Sequence, residues 1–193
     1  VRVERHEQGY VAEIVLDRPE ALNSVSTAMA LAIAGACAEV VADPAVRAVV
    51  LTSTHPKVFC AGADLKERNS LTDAQLLAQR PVARAAYRSV LDLPVPAIAA
   101  VDGVALGGGF ELALSCDLIV AAESALVGLP EVRVGVIPAG GGTQLLTRRV
   151  GWSKAASMIF TARRLLAPEA HALGAVDEIV PDGTARDRAL QIA

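Results

Sequence analysis

Val101 to Ala113 read VDGVALGGGFELA: a strand end, three successive glycines (Gly107, Gly108, Gly109) and then helix-forming residues. The apolar run PAIAAV at 96–101 feeds this turn, so a strand passes into a helix that begins on glycine. The first amides of a helix have no carbonyl partner inside it and lie at its positive end. With no side chains at 107–109, nothing covers those donors. A second stretch follows the same pattern. Phe59 to Glu67 read FCAGADLKE, where Gly62 permits backbone angles closed to other residues and Asp64 is placed to cap the next helix. Amides near Ala63 are left without intrahelical partners as well.

Either turn alone fits a tight turn needed only for packing, or a cradle for phosphate. The dinucleotide fingerprint GxGxxG is not matched, since 103–109 reads GVALGGG, and the P-loop lysine is missing. Two such turns in one domain permit a third use: one N–H from each aimed at a single oxygen. In such an oxyanion hole each donor is worth about 3–4 kcal/mol in the transition state. Glu111 stands in the first helical turn, where it also complements the helix dipole. Glu131 comes twenty residues later, after Pro130 in VGLPEVRVGVIPAGGGTQ. A strand out (DLIVAA) and a loop back can return Glu131 to Glu111, or leave it on the surface.

Working outward, residues 1–16 predict two strands around a turn at Glu7-Gln8-Gly9, and 19–23 a loop. A helix is expected over 27–41, closed by Asp43-Pro44, then strands at 46–53 and 57–60. A long helix over 72–91, bounded by Pro94 and Pro96, precedes strand 96–101, helix 107–115 and strand 117–122. Helices follow near 141–150, 152–161 and 168–173, then a short strand at 176–180 and a helix at 184–193 that stops mid-pattern. Strand, small-residue loop and helix occur in that order at 46–68 and again at 96–115. The alternation defines an α/β class. One domain over 1–193 is expected, with 183–193 as the start of an incomplete C-terminal helical region.

Of 193 residues, 53% are hydrophobic and 20% charged, which excludes a disordered chain and suits one folded core. A net charge of -3 gives no electrostatic reason to expect nucleic acid. Cys37, Cys60 and Cys116 form no CxxC or Cys/His spacing, so neither a disulfide framework nor a metal site is indicated. The N-terminal residues show no signal-peptide pattern, and apolar runs such as 93–101 are too short to span a bilayer. The expectation is a soluble cytoplasmic protein with no membrane partner.

Other side chains offer poorer chemistry. His6, His55 and His171 lie in polar or element-end settings. Ser24, Ser115 and Ser124 lack the GxSxG elbow. Cys60 and Cys116 read as small buried hydrophobes, and Asp117 as a residue that orients a strand end.

LDRPEALNSVS (16–26), VFCAGADLKE (58–67), PAIAAVDGVALGGGFELALSCDLIVAAESA (96–125), LPEVRVGVIPAGGGTQLL (129–146) and ARRLLAPEAHALGAVDEIVP (162–181) together resemble the crotonase, or enoyl-CoA hydratase/isomerase, superfamily. The resemblance covers nearly the whole chain in the family's order. It implies a spiral of repeated ββα units, C-terminal helices beyond Ala193, and assembly as trimers or dimers of trimers. By motif position it implies that Ala63 and Gly108 supply the oxyanion-hole amides and that Glu111 and Glu131 are the acid–base pair. It also implies that Ala61 receives the adenine amino group of coenzyme A. Ala21, Leu22, Gly62, Asp64, Lys66, Gly107 and Ala139 complete the substrate-binding set. The family commonly has PGAGG where this chain has Pro138-Ala139-Gly140-Gly141-Gly142, so an alanine replaces the glycine whose N–H would help hold a water.

Both glutamates being present favours hydration of a 2-enoyl-CoA, with the thioester as substrate and no separate cofactor. An enoyl-CoA isomerase or another CoA-thioester lyase is the alternative within the family. A non-catalytic oligomeric or RNA-binding relative is the alternative outside it, against which stand the intact site residues and the lack of a Lys/Arg-rich helix.

Overall fold

A computed structural model describes residues 1–193. The chain opens with antiparallel strands β1 (Arg2–His6) and β2 (Val11–Leu16), joined by a short 3-10 turn. Helix α1 (Thr27–Ala42) follows, its first turn capped by Ser26 Oγ accepting from the Met29 amide. Next come β3 (Ala48–Ser53), β4 (Val58–Cys60), α2 (Leu65–Ser70) and α3 (Asp73–Leu91). Thr72 and Gln75 close a reciprocal capping box at the start of α3.

The strand–strand–helix order then repeats as β5 (Ala97–Val101), β6 (Val104–Leu106) and α4 (Gly108–Leu114). A third pair, β7 (Leu118–Ala122) and β8 (Leu126–Gly128), leads to α5 (Gly142–Val150) and α6 (Trp152–Phe160). The chain finishes with β9 (Arg164–Leu166), α7 (Ala167–Leu173), β10 (Glu178–Val180) and α8 (Ala185–Ile192).

Each repeat divides its strands between two sheets. The first strands join a six-stranded sheet of order β1-β2-β3-β5-β7-β10, parallel from β2 onward. The second strands form a smaller sheet, β4-β6-β8-β9, parallel across its first three members. This is the spiral of ββα units that the family resemblance implies. The large sheet is covered on both faces, so its strands read as continuous apolar runs such as AVVL and AIAAV rather than alternating ones.

A buried charged side chain interrupts the apolar run of β2. Glu13, in the middle of β2, is 1% exposed. Arg186 of α8 grips both of its oxygens at 2.7 Å, while Thr52 and His6 donate or share a bond at the same distance. Burial raises the Glu13 carboxyl, but those bonds outweigh it and hold the group below its ordinary value. The ion pair ties α8 to β2, an interior strand of the large sheet. No helix is long and apolar enough to cross a membrane.

Candidate active site

The two glycine turns meet. Gly62, at φ 98°, lies against the β6–α4 connection: a methyl group on it would stand 2.8 Å from Leu106 O and 3.3 Å from Gly108 N. A methyl on Gly109 would fall 2.0 Å from Cys60 O, so the start of α4 is pressed against the end of β4. Only bare backbone fits there. The Gly62 carbonyl and Asp64 amide both bond Val25, which turns the intervening Ala63 amide the other way. A methyl on Gly108 would lie 3.6 Å from Ala63 N. Gly108 opens α4, where no carbonyl of the helix reaches its amide. The sequence-predicted donors Ala63 and Gly108 therefore adjoin.

Glu111 points from α4 towards the turn that starts α5. It is 3% exposed, and its Oε1 accepts from the amides of Gly140 and Gly142, each at 2.8 Å. Burial raises its pKa and those amides oppose the rise. Glu131 begins a 3-10 turn just after β8. Its Oε1 stands where a methyl on Gly107 would come within 3.2 Å, and its buried Oε2 has no hydrogen-bond partner. Burial first, and then the Glu111 charge, push the Glu131 carboxyl up to about 7. The loop back from β8 thus returns Glu131 to Gly107, the N-cap of α4, four residues before Glu111.

Tyr87 of α3 carries no signal in the sequence, because it shares the inner helical stripe with Ala86 and Val90. Its ring lies against Gly140, and its hydroxyl is next to Gly108, where an added methyl would be 2.3 Å away. Burial and the Glu111 charge push its pKa far up, so the phenol stays neutral and can donate.

The remaining expected residues form a rim and a floor. The Ala61 amide donates to Leu22 O at 3.0 Å, joining the Ala21–Leu22 loop to the end of β4. Leu22 holds a left-handed φ of 54° and is exposed, as are Ala61 and Lys66. Asp64 caps α2 as its position predicts, accepting from Lys66 N and Glu67 N at 3.1 Å, and its other oxygen pairs with Arg18 at 2.7 Å. Both oxygens are thus engaged within the protein. Gly107 lies beneath Glu131, and Ala139 lines a cavity of about 790 Å³ with Tyr87, Gly140 and Gly141. Ala139 is absent from the positive-φ positions, so an alanine is unstrained there. The glycines that matter to Glu111 are the next ones, 140 and 142.

Asn23 is a further residue that sequence reasoning passes over. Fully buried at φ 52°, it donates to Ser53 Oγ and Phe59 O and accepts from the Arg18 amide, fixing the rim loop to β4. The tolerance of Asn for left-handed backbone, at the end of the loop 19–23, is the one available cue. His6, His55 and His171 bond locally, and Asp117 Oδ2 accepts from the Ala97 amide at 2.8 Å, orienting a strand end.

The chain belongs to the enoyl-CoA hydratase/isomerase family, whose model matches residues 6–193, and hence to the crotonase superfamily. It is 43% identical over 183 residues to human enoyl-CoA hydratase domain-containing protein 2, mitochondrial, a match covering 95% of this chain and 63% of that protein. To human methylglutaconyl-CoA hydratase, mitochondrial, it is 40% identical over 191 residues, covering 99% of this chain and 56% of that one. The crystal structure of an enoyl-CoA hydratase from Bacillus anthracis superposes with a TM-score of 0.93 at 39% identity, covering 98% of this chain and 74% of that one. The chain therefore spans 56–63% of the length of the two human relatives.

Proposed function

We propose that the protein hydrates 2-enoyl-CoA thioesters. The observation that carries this reading is the contrast between the two glutamates beside a pair of adjoining free amides. Glu111 accepts two backbone N–H bonds, which favour its charged form. Glu131 has an orphaned buried oxygen and a carboxyl pushed up to about 7, which favour its neutral form. Two acids in one site with unlike environments divide into base and acid.

The thioester carbonyl sits between the Ala63 and Gly108 amides, which stabilise negative charge developing on its oxygen. Glu111 takes a proton from water as the water oxygen bonds to C3. Glu131 gives its proton to C2 on the same face, and the C2–C3 double bond is consumed. One water is added, and the proton gained by Glu111 balances the one lost by Glu131. Return of that proton through solvent resets the pair. Coenzyme A enters as part of the substrate along the rim of Ala21, Leu22, Ala61 and Lys66, and no separate cofactor takes part.

Self-association as a trimer or dimer of trimers is part of the same proposal, supported by the exposed apolar side chains of Ile137, Trp152 and Phe160. Three buried free thiols support a reducing, cytoplasmic setting. Product analysis with crotonyl-CoA and a 3-enoyl-CoA tests the reaction. The 3-hydroxyacyl thioester is expected from the first, whereas conversion of the second to its 2-enoyl isomer without hydration would assign an isomerase. Absence of any heat on titration with acetoacetyl-CoA would assign a non-catalytic relative.

A further inference from the structure

The cavity that ends at Tyr87 and Gly140 opens outward between α3 and α5, and its polar lining is of one sign. Arg80, Arg84 and Arg88 lie one turn apart along α3, Arg148 faces them from α5, and no acidic residue lines the space. All four are exposed. Arg88 pairs with Asp92, whereas Arg80, Arg84 and Arg148 make no ion pair within the protein. In a chain of net charge -3, a groove whose charged lining is all cationic, among apolar and neutral residues, is a local departure. Cations left unpaired around a concave space attract an anion into it.

The groove also has a fixed inner end. Gly140 lines it and donates to Glu111, and Tyr87 lines it and abuts Gly108. An occupant therefore extends from the reacting carbons outward. Arg84 lies three residues before Tyr87 on the same helix, about 5–6 Å away between Cβ atoms. Arg148 lies six residues beyond Gly142, about 9 Å along α5. None of the rim residues 21–22 or 61–66, along which coenzyme A is proposed to enter, belongs to the groove.

Resting on the hydratase reading, we infer that the preferred acyl group carries a carboxylate at its far end, held by Arg84 and Arg148. The guanidinium fork matches a carboxylate with paired, charge-assisted hydrogen bonds. A methyl-terminated chain of equal length leaves those cations to water and gains nothing from them.

The test compares kcat/KM for glutaconyl-CoA with 2-pentenoyl-CoA, and for 2,3-dehydroadipyl-CoA with 2-hexenoyl-CoA. Each pair differs in a terminal carboxylate against a methyl. The expected preference for the acid is about tenfold or more in at least one pair, the scale of one charge-assisted hydrogen bond. In Arg84→Gln and Arg148→Gln that ratio falls several-fold, and Arg→Lys at either position restores part of it. A merely structural role lowers both substrates together and leaves the ratio unmoved, which overturns the inference, as does a wild-type ratio of one or less. Binding of the saturated analogues glutaryl-CoA and valeryl-CoA by calorimetry keeps the two proposals apart. A preference for glutaryl-CoA without turnover of any enoyl thioester sinks the hydratase reading alone, and turnover without preference sinks this inference alone.

Discussion

The Tyr87 hydroxyl rests against Gly108, so closely that a methyl group on the glycine would stand 2.3 Å from the oxygen. That approach links a helix with no sequence signal to the amide proposed to hold the thioester oxygen. Gly108→Ala keeps the N–H but forces Tyr87 out or α4 back. The expected result is a stability loss of about 1–3 kcal/mol from overpacking and a hydration rate about 10²-fold lower from misplacement. Adding Tyr87→Phe, which removes the contacting hydroxyl and keeps the buried ring, should recover much of the stability, as read by denaturant midpoints of both variants.

Hydration should fall as pH rises through about 7. The Glu131 carboxyl is pushed up to about 7, and the acid that delivers a proton to C2 must hold one. A profile of kcat/KM reports the free enzyme, so its alkaline limb should lie near that value. In Glu131→Gln no limb of that origin should remain in the residual rate.

Stability gives an independent check on the same group. The folded protein keeps the Glu131 proton up to about pH 7, whereas the unfolded chain releases it near 4.5. Between those values the folded state binds more protons, so stability falls as pH rises through the window. Gln carries no charge and escapes that loss. Glu131→Gln should therefore melt higher than the wild type at pH 8 and converge with it below about pH 5.

Arg186→Ala tests the tie between α8 and the sheet. It removes two donors from a carboxylate that is 1% exposed and leaves only Thr52 and His6. A loss of about 1–3 kcal/mol is expected at pH 7. The Glu13 carboxyl is held below its ordinary value, so its contribution is present above the unfolded pKa and lost as pH falls. The penalty of the variant should shrink in acid accordingly.

Much of the spiral is legible in the sequence because long apolar runs and glycine-led helices carry their own punctuation. The runs at 48–51 and 97–101, the helix from Thr27 and the Gly107–Gly109 turn all lie close to where the residues predict them. The strands β6, β8 and β9 are not legible, since three residues cannot display a period of two. With them goes the second sheet, although it brings the two glycine turns together. The two glycine turns and Glu111 stand out through free amides and a first-turn acid. The choice of Ala63 and Gly108 as donors and of Glu131 as the second acid comes from the family resemblance, since spacing alone leaves Glu131 free to lie on the surface. Tyr87 and the Gly140 and Gly142 amides are hidden because their roles depend on α3 and the α5 turn meeting across the chain. Those contacts exist only in the folded state.

The most direct measurement is the rate of crotonyl-CoA hydration by Glu111→Gln and Glu131→Gln, with acetoacetyl-CoA binding followed alongside. Each variant should bind the thioester and lose about 10²–10⁴-fold in rate, the scale of one lost proton-transfer group. Wild-type rates in both would contradict the acid–base assignment outright.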